Sequence, residues 1–309
     1  MLRDLGKLAF IHVSRNLSDE TAIAIDYARA FGQFPNLANP TRFSEKMQAY
    51  KLCGRDNRMP GLVDKIAVKR HVAQALGPEW VTPTLWSGRQ VSEHVLRSAG
   101  APVVLKANHV SGKIIFVDAN TDLRAAARRA NAWRRYDYHL LHREWPYGEV
   151  RRRLLIEPRI AEPNQLADYK FWVFDGDVAL VQVDQHRFAR HTRDFFDASW
   201  VRLDLRLHYP QAAEAPPRPR SFEAMLEAAR TLGAGFNFVR VDLYDHGGAP
   251  RFGELTFWPE AGLCRFDPPL FDRVLGDRLP YPVRTIPVRP EVAEPAAAIA
   301  ARAPSGVGS

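Results

Sequence analysis

The chain has 309 residues, 46% hydrophobic and 25% charged, which is ordinary for a soluble folded protein of two domains or of one domain built from lobes. Lys and Arg outnumber Asp and Glu by 43 to 35, and the net charge of +8 suits an anionic partner such as a nucleotide, a phosphorylated glycan or an acidic membrane surface without choosing among them. The two cysteines, Cys53 and Cys264, exclude a disulfide framework and a paired-cysteine metal site, so a reduced cytoplasm is the expected compartment.

Taken in chain order, Leu8 to Val13 is too short, and too charged on its flanks, for a secretory signal. No stretch approaches the roughly 18 apolar residues of a membrane span, which leaves only peripheral association with a membrane open. Ser18-Asp19-Glu20 caps a helix that Gly32 stops. Ser44 opens a second helix through Leu52. Asp64 opens a third, with Ile66, Val68, His71, Val72 and Leu76 inward, ended by Gly77-Pro78. Strands follow at Val81 to Trp86, at Pro102 to Ala107 and at Ile114 to Val117, the last two flanking a Ser-Gly turn.

Thr121 starts the longest helix, reaching about Leu141. Arg151-Arg152-Arg153 precedes the strand Leu154 to Ile160 and reads as a solvated face; nucleic acid is not an expected partner, since its binders interleave aromatics with basic residues. Asp175-Gly176 joins two apolar runs in a hairpin. Phe195-Phe196-Asp197 and Trp200-Val201 suggest another short pair, and Ser221 caps a helix to Leu232. A last hairpin, Phe236 to Phe257, turns at Gly247-Gly248, and the tail from about Val288 is expected to be disordered. The class is α+β, with antiparallel hairpins.

The last hairpin carries the strongest chemical signal. A turn centred on Gly248 sets Asp242 opposite Glu254 and Arg240 opposite Thr256, with Val239, Val241, Leu255 and Phe257 on the other face. Opposed carboxylates lie about 5 Å apart at Cβ. At an effective dielectric of about 20 they repel by roughly 3 kcal/mol. A cation should offset this: either Arg240, in an ordinary ion-pair network, or Mg²⁺, which takes carboxylate oxygens and keeps positions open for phosphate.

Upstream, Asp64-Lys65 with Lys69, Val104-Leu105-Lys106, Ile156-Glu157-Pro158-Arg159-Ile160, Arg240-Val241-Asp242-Leu243 and Gly253-Glu254-Leu255-Thr256 follow one another in that order. The succession resembles the ATP-grasp superfamily. Phe43-Ser44-Glu45-Lys46, Leu105-Lys106-Ala107-Asn108-His109, Arg143-Glu144-Trp145-Pro146-Tyr147, Asp168-Tyr169-Lys170-Phe171 and Phe252-Gly253-Glu254-Leu255-Thr256-Phe257 resemble its TupA-like branch, of bacterial polysaccharide biosynthesis. The resemblance runs from about Arg42 to Pro280. It implies an ATP-grasp fold of two α+β lobes (residues 61–165 and 166–287) whose antiparallel sheets clamp ATP. A helical region (1–60) precedes them and a disordered tail (288–309) follows.

The same resemblance implies site roles. Lys65 and Lys106 would neutralise phosphates, and the loop with Ser111 and Gly112 would cover them. Glu157 would accept from the adenine amine, with Arg159 or Ile160 supplying the backbone donor because Pro158 has none. Asp242, Glu254 and Thr256 would hold Mg²⁺, Arg240 would stabilise the transferring phosphoryl group, and Lys170 would reach the γ-phosphate or the acceptor. Lys69 is expected on the helix surface. Val110 and Lys113 replace small residues in the phosphate loop, and Thr256 stands where most ATP-grasp enzymes have Asn. Gln182, Asp184, His186 and Arg187 are candidates for the acceptor pocket, His109 for a base, and Trp145-Pro146-Tyr147 for sugar stacking or plain packing.

The expected activity is Mg²⁺-ATP-dependent joining of a carboxylate, activated as an acyl phosphate, to an amine on a small molecule or glycan. A kinase outcome stays open. The alternatives are a glycosyltransferase, for which Asp175-Gly176-Asp177 would be the metal motif, and a nucleotide-binding module without turnover.

Overall fold

The computed structural model describes residues 11, 14–162, 166–187 and 189–283. Most of the Leu8 to Val13 run and the tail from Val288 lie outside the described residues.

Helix α1 (Asp19–Phe31) is built as its ends dictate. The Ser18 side chain accepts the Thr21 N–H at 3.1 Å, and Gly32 leaves in the left-handed region at φ 75°. Helix α2 (Phe43–Cys53) begins one residue before Ser44, because Glu45 reaches back to the N–H groups of Thr41 and Arg42, each at 3.2 Å. Ser44 bonds Asp272 instead, through its N–H at 2.8 Å and its hydroxyl at 2.7 Å.

Helix α3 (Met59–Val63) was not foreseen, and α4 (Val68–Leu76) starts later than Asp64. The Asp64 carboxylate holds a turn, accepting from Ile66 N–H at 2.8 Å and from the Asn108 amide at 2.9 Å. His71, expected inward, is exposed. The strand expected over Val81 to Trp86 is only β1 (Trp86–Gly88). Pro83, which has no N–H to give a ladder, falls in the unpaired part.

Helix α5 (Glu93–Ala99), β2 (Val103–Ala107) and β3 (Ile114–Val117) precede α6 (Leu123–Trp133). The expected long helix breaks after Trp133 and resumes only as α7 (His139–His142), followed by α8 (Pro146–Glu149). Asp137, in the break, is held by both Arg15 and Arg152, and Arg152 also donates to the Arg134 carbonyl at 3.1 Å. The basic run is therefore not merely a solvated face; two of its members are tied down, Arg153 through Ser87.

Strand β4 (Leu154–Pro158) completes a four-stranded antiparallel sheet in the order β1-β4-β2-β3. The second sheet has six strands, β10-β9-β5-β6-β7-β8, from β5 (Asp168–Phe174), β6 (Asp177–Gln185), β7 (Thr192–Phe196), β8 (Arg202–Leu203), β9 (Val239–His246) and β10 (Ala249–Thr256). Trp200, foreseen in a strand, is instead a left-handed turn residue at φ 66°, and Asp197 accepts the Val201 N–H at 2.9 Å. Helix α9 (Phe222–Gly233) covers the apolar face of the larger sheet, and α10 (Leu270–Arg278) docks on α2. One core gathers Phe43, Trp172, Phe238 and their neighbours; another gathers Leu105, Ala130, Leu154 and Ile156 against the smaller sheet. Among the described residues no helix is long and apolar enough to cross a membrane.

Candidate functional site

Between the two sheets lies a cleft of about 330 Å³ walled by Lys65, Lys106, Glu157, Asp242 and Glu254. On its β2–β4 wall Val104 pairs with Glu157, so Lys106 and Glu157 share a face and meet. Their ammonium and carboxylate are 2.5 Å apart. Lys69 corrects an expectation: it reaches from α4 into the cleft, pairs with the other Glu157 oxygen, and donates to the Thr82 carbonyl at 2.8 Å and the Thr84 hydroxyl at 2.6 Å. Burial would raise the Glu157 pKa, but Lys106 and Lys69 overturn it and hold the carboxyl below its usual range.

The β2–β3 loop brings Ser111 and Gly112 to the cleft, with Gly112 at φ 71° where a side chain would be strained. Val110 is packed in the smaller core, and Lys113 lines the cleft. At the hinge, the Arg159 N–H is already taken by the Pro102 carbonyl at 3.2 Å and its guanidinium by Glu162 at 2.7 Å. Among the described residues nothing takes the Ile160 N–H, which makes Ile160 the better backbone donor.

His109 lines neither cavity. It is 1% exposed, and burial, reinforced by the Arg152 charge, holds its pKa down to about 4. A buried neutral imidazole is a poor base and a source of acid sensitivity. The unfolded chain binds the proton near pH 6.5 and the folded one near 4, so stability falls on acidification through that window, by about 3 kcal/mol below it. His109→Gln is expected to flatten this part of the curve, as read by urea denaturation at pH 7 and near pH 4.5.

The β9–β10 hairpin brings the two carboxylates together. Glu254 is opposite Asp242 and Thr256 opposite Arg240, while Phe252 is opposite Leu243, so Gly253 is an extra residue in a bulge. A Cβ at Gly253 would stand 3.0 Å from the Asp242 carbonyl, so the bulge suits glycine. Arg240 grips Asp242 through Nε and Nη2, both at 2.7 Å, and Lys170, opposite Asp242 on β5, reaches it at 2.8 Å. Glu254 is held more loosely, 3.3 Å from Lys65 and 3.9 Å from Arg240. Burial would raise its pKa, yet Lys65, Arg240 and Lys170 bring it down to about 2. Lys170, which burial would depress, is raised by Asp168 and Asp242. The expected ion-pair network is present, and the two carboxylates stand opposite each other within it.

Among the described residues no group of three or more His, Cys, Asp or Glu converges as a metal cage. Mg²⁺ does not need one, since it takes one or two carboxylates and completes its octahedron with water and substrate phosphate. Asp242 and Glu254 fit that demand, and Glu254, one-third exposed, is the less saturated. The Thr256 hydroxyl accepts from Arg240 at 3.3 Å and lies further along the same face of the hairpin, beyond the cleft.

There a second cavity, about 460 Å³, adjoins the first and shares Ser111, Lys170, Arg187 and Glu254 with it. Of the acceptor-pocket candidates, Asp184 and Arg187 line it. Gln182 is withdrawn into the sheet, bonded to the Trp172 indole at 3.2 Å, and His186 is an exposed left-handed residue at φ 50°. Tyr147 lines the cavity, whereas Trp145 packs under Arg55. Arg193 and Glu144, assigned no role by the sequence, also line it; for Glu144 the available signal is a carboxylate close to two aromatics, Trp145 and Tyr147. The Asp175-Gly176-Asp177 motif is only a turn: Asp175 and Gly176 have φ of 47° and 82°, Asp177 pairs with Arg278, and none lines either cavity.

A family model described as TupA-like ATPgrasp matches residues 45–280. No curated protein matches the chain. Among solved structures, D-alanine–D-alanine ligase from Bacillus anthracis is 18% identical at a TM-score of 0.43, covering 71% of this chain and 66% of its own. D-alanine–D-alanine ligase from Helicobacter pylori is 17% identical at 0.42, covering 70% and 61%. L-amino acid ligase from Bacillus licheniformis is 13% identical at 0.39, covering 63% and 44%. This chain spans less than two thirds of the length of each of these three.

Proposed function

The chain belongs to the TupA-like ATP-grasp family, and from that premise we propose that it is a Mg²⁺-ATP-dependent ligase that activates a carboxylate and joins it to an amine. We place it in the cytoplasm, in cell-surface polysaccharide biosynthesis, with residues 61–165 and 166–287 as the lobes that clamp the nucleotide. The carrying observation is the cleft itself: ammonium groups on one wall face a carboxylate pair on the other, and the space opens into a second polar cavity.

Lys65 and Lys106 hold phosphate, Ser111 and Gly112 cover it, and Glu157 with Ile160 reads the adenine edge, Arg159 bracing the hinge. Asp242 and Glu254 would hold Mg²⁺, which would neutralise phosphate charge and polarise the transferring group. Thr256 orients Arg240 at the edge of that platform. A substrate carboxylate oxygen attacks the γ-phosphorus, the bond to ADP breaks, and Arg240 and Lys170 stabilise the charge on the oxygens in flight. The amine nitrogen then attacks the acyl carbon. The carbon–oxygen bond to phosphate breaks, phosphate leaves, and the nitrogen gives up its surplus protons. The protein supplies position and charge rather than covalent chemistry.

The test is to incubate the protein with Mg²⁺-ATP and a panel of carboxylates and amines while following ADP and phosphate. Release of both that depends on carboxylate and amine together is expected. ADP without phosphate would make it a kinase, UDP released from a nucleotide sugar would overturn the reading in favour of a glycosyltransferase, and ATP binding without turnover would leave a binding module.

A further inference from the structure

Among the described charged side chains of the second cavity to which the ligase reading gives no task, Glu144 stands apart in having no partner of opposite charge. Glu144 follows α7, in the Arg143-Glu144-Trp145-Pro146-Tyr147 segment. Arg143 before it is left-handed, at φ 58°, with its guanidinium tied to the carbonyls of Ser14 and Leu17 and to Asp19. On this anchored turn Glu144 is 4% exposed and lines the cavity.

The other charged groups there are neutralised in place. Arg193 bridges Asp184 and Glu260, His142 pairs with Asp26, and Lys170, Arg187, Arg240 and Glu254 have the partners of opposite charge that their strands bring. Among the described residues Glu144 has neither a side-chain hydrogen bond nor an ion pair within 4 Å. Lys51 acts on it at longer range, but donates its own protons to the Gln48 side chain and the Ala261 carbonyl, both at 2.8 Å. Burial, with Glu254 adding to it, raises the Glu144 pKa despite Lys51 and His142. A buried carboxylate with no partner is costly unless a cation arrives to meet it.

The walls around it indicate which cation. Tyr138 and Tyr147, edge to face at 4.9 Å, line the same cavity together with Trp258. A carboxylate among aromatic faces suits an ammonium carried on an organic body more than a bare metal ion, which would ask for several oxygens. We infer that Glu144 is the ammonium-binding residue of the acceptor site, holding the primary amine of the second substrate in the cavity that adjoins the phosphoryl-transfer centre. The inference rests on the ligase reading and adds the group that recognises the amine. Amino acids and amino sugars both present a primary ammonium.

The experiment is calorimetric titration of the wild type and Glu144→Gln, each loaded with Mg²⁺ and a non-hydrolysable ATP analogue, with glycinamide, glucosamine and N-acetylglucosamine. At least one primary amine is expected to bind the wild type and to lose tenfold or more in affinity in the variant, with N-acetylglucosamine binding neither. Glucosamine alone would indicate an amino sugar, glycinamide alone an amino acid. The variant should melt at or above the wild-type temperature, because no partner of Glu144 is lost. Equal amine affinity in both proteins, no amine binding to the loaded wild type, or a clear drop in melting temperature would each overturn the assignment. Nucleotide binding, measured first, separates the failures: if the analogue does not bind, the ligase reading falls and takes this inference with it. If it binds and no amine does, the inference alone falls.

Discussion

Glu254→Gln is expected to lower kcat by at least about 10²–10³-fold while leaving the melting temperature within a few degrees of the wild type. Glu254 is one-third exposed and its cations stand at 3.3 and 3.9 Å, so a neutral amide of the same shape removes little that holds the fold. Asp242→Asn should behave differently. Asp242 is 3% exposed and meets Arg240 twice and Lys170 once, all within 2.8 Å. Neutralising it strands buried cations, a loss on the order of 3–5 kcal/mol. Thermal denaturation beside ADP release separates the two. If Glu254→Gln unfolds as Asp242→Asn does, the pair is a structural ion network and the Mg²⁺ assignment is lost.

The contrast between these carboxylates shows how far a sequence can be read. Alternation along the last hairpin puts the charges on one face and Val239, Val241, Leu255 and Phe257 on the other, and the structure agrees, because a slip would turn the charges into the apolar core. Asp242 pairs with Glu254 as expected, but two departures from a regular hairpin cancel to give that register. The turn is a two-residue one, Gly247-Gly248, with φ of 63° and 85°, which shifts the tip register by one from the expected pairing. The bulge at Gly253 then restores it at the carboxylates. The local sign of that bulge is Gly253 itself, a glycine inside a strand-like run at a position where a Cβ would stand 2.9 Å from the Tyr244 ring and 3.0 Å from the Asp242 carbonyl.

Other features depended on partners far along the chain. The break after Trp133 is held by Arg15 and Arg152, the packing of His109 by the smaller core, and the place of Glu144 by an arginine anchored on Ser14. Local propensity reads none of these. The elements with local caps, such as α1, were legible at both ends.

Lys106→Met is expected to weaken ATP binding about 100-fold, whereas Lys69→Met should weaken it much less and instead erode the preference for ATP over GTP. An ammonium has three N–H donors. Lys69 spends all three, on Glu157, the Thr82 carbonyl and the Thr84 hydroxyl, and its side chain is 16% exposed. Among the described residues Lys106 has Glu157 as its one partner, and it is 31% exposed, so donors remain for phosphate. A charge-assisted hydrogen bond contributes about 1.5–3 kcal/mol, and its loss together with the charge accounts for two orders of magnitude. Lys69 acts through Glu157: it fixes the carboxylate that reads the base. Without it Glu157 keeps Lys106 but loses its position, and discrimination at the exocyclic group should fall about tenfold with phosphate affinity largely kept. Fluorescence titration of both variants with ATP and GTP analogues measures both quantities. Equal losses for the two nucleotides in Lys69→Met would show that Glu157 does not read the base, and retained ATP affinity in Lys106→Met would remove Lys106 from the phosphate site.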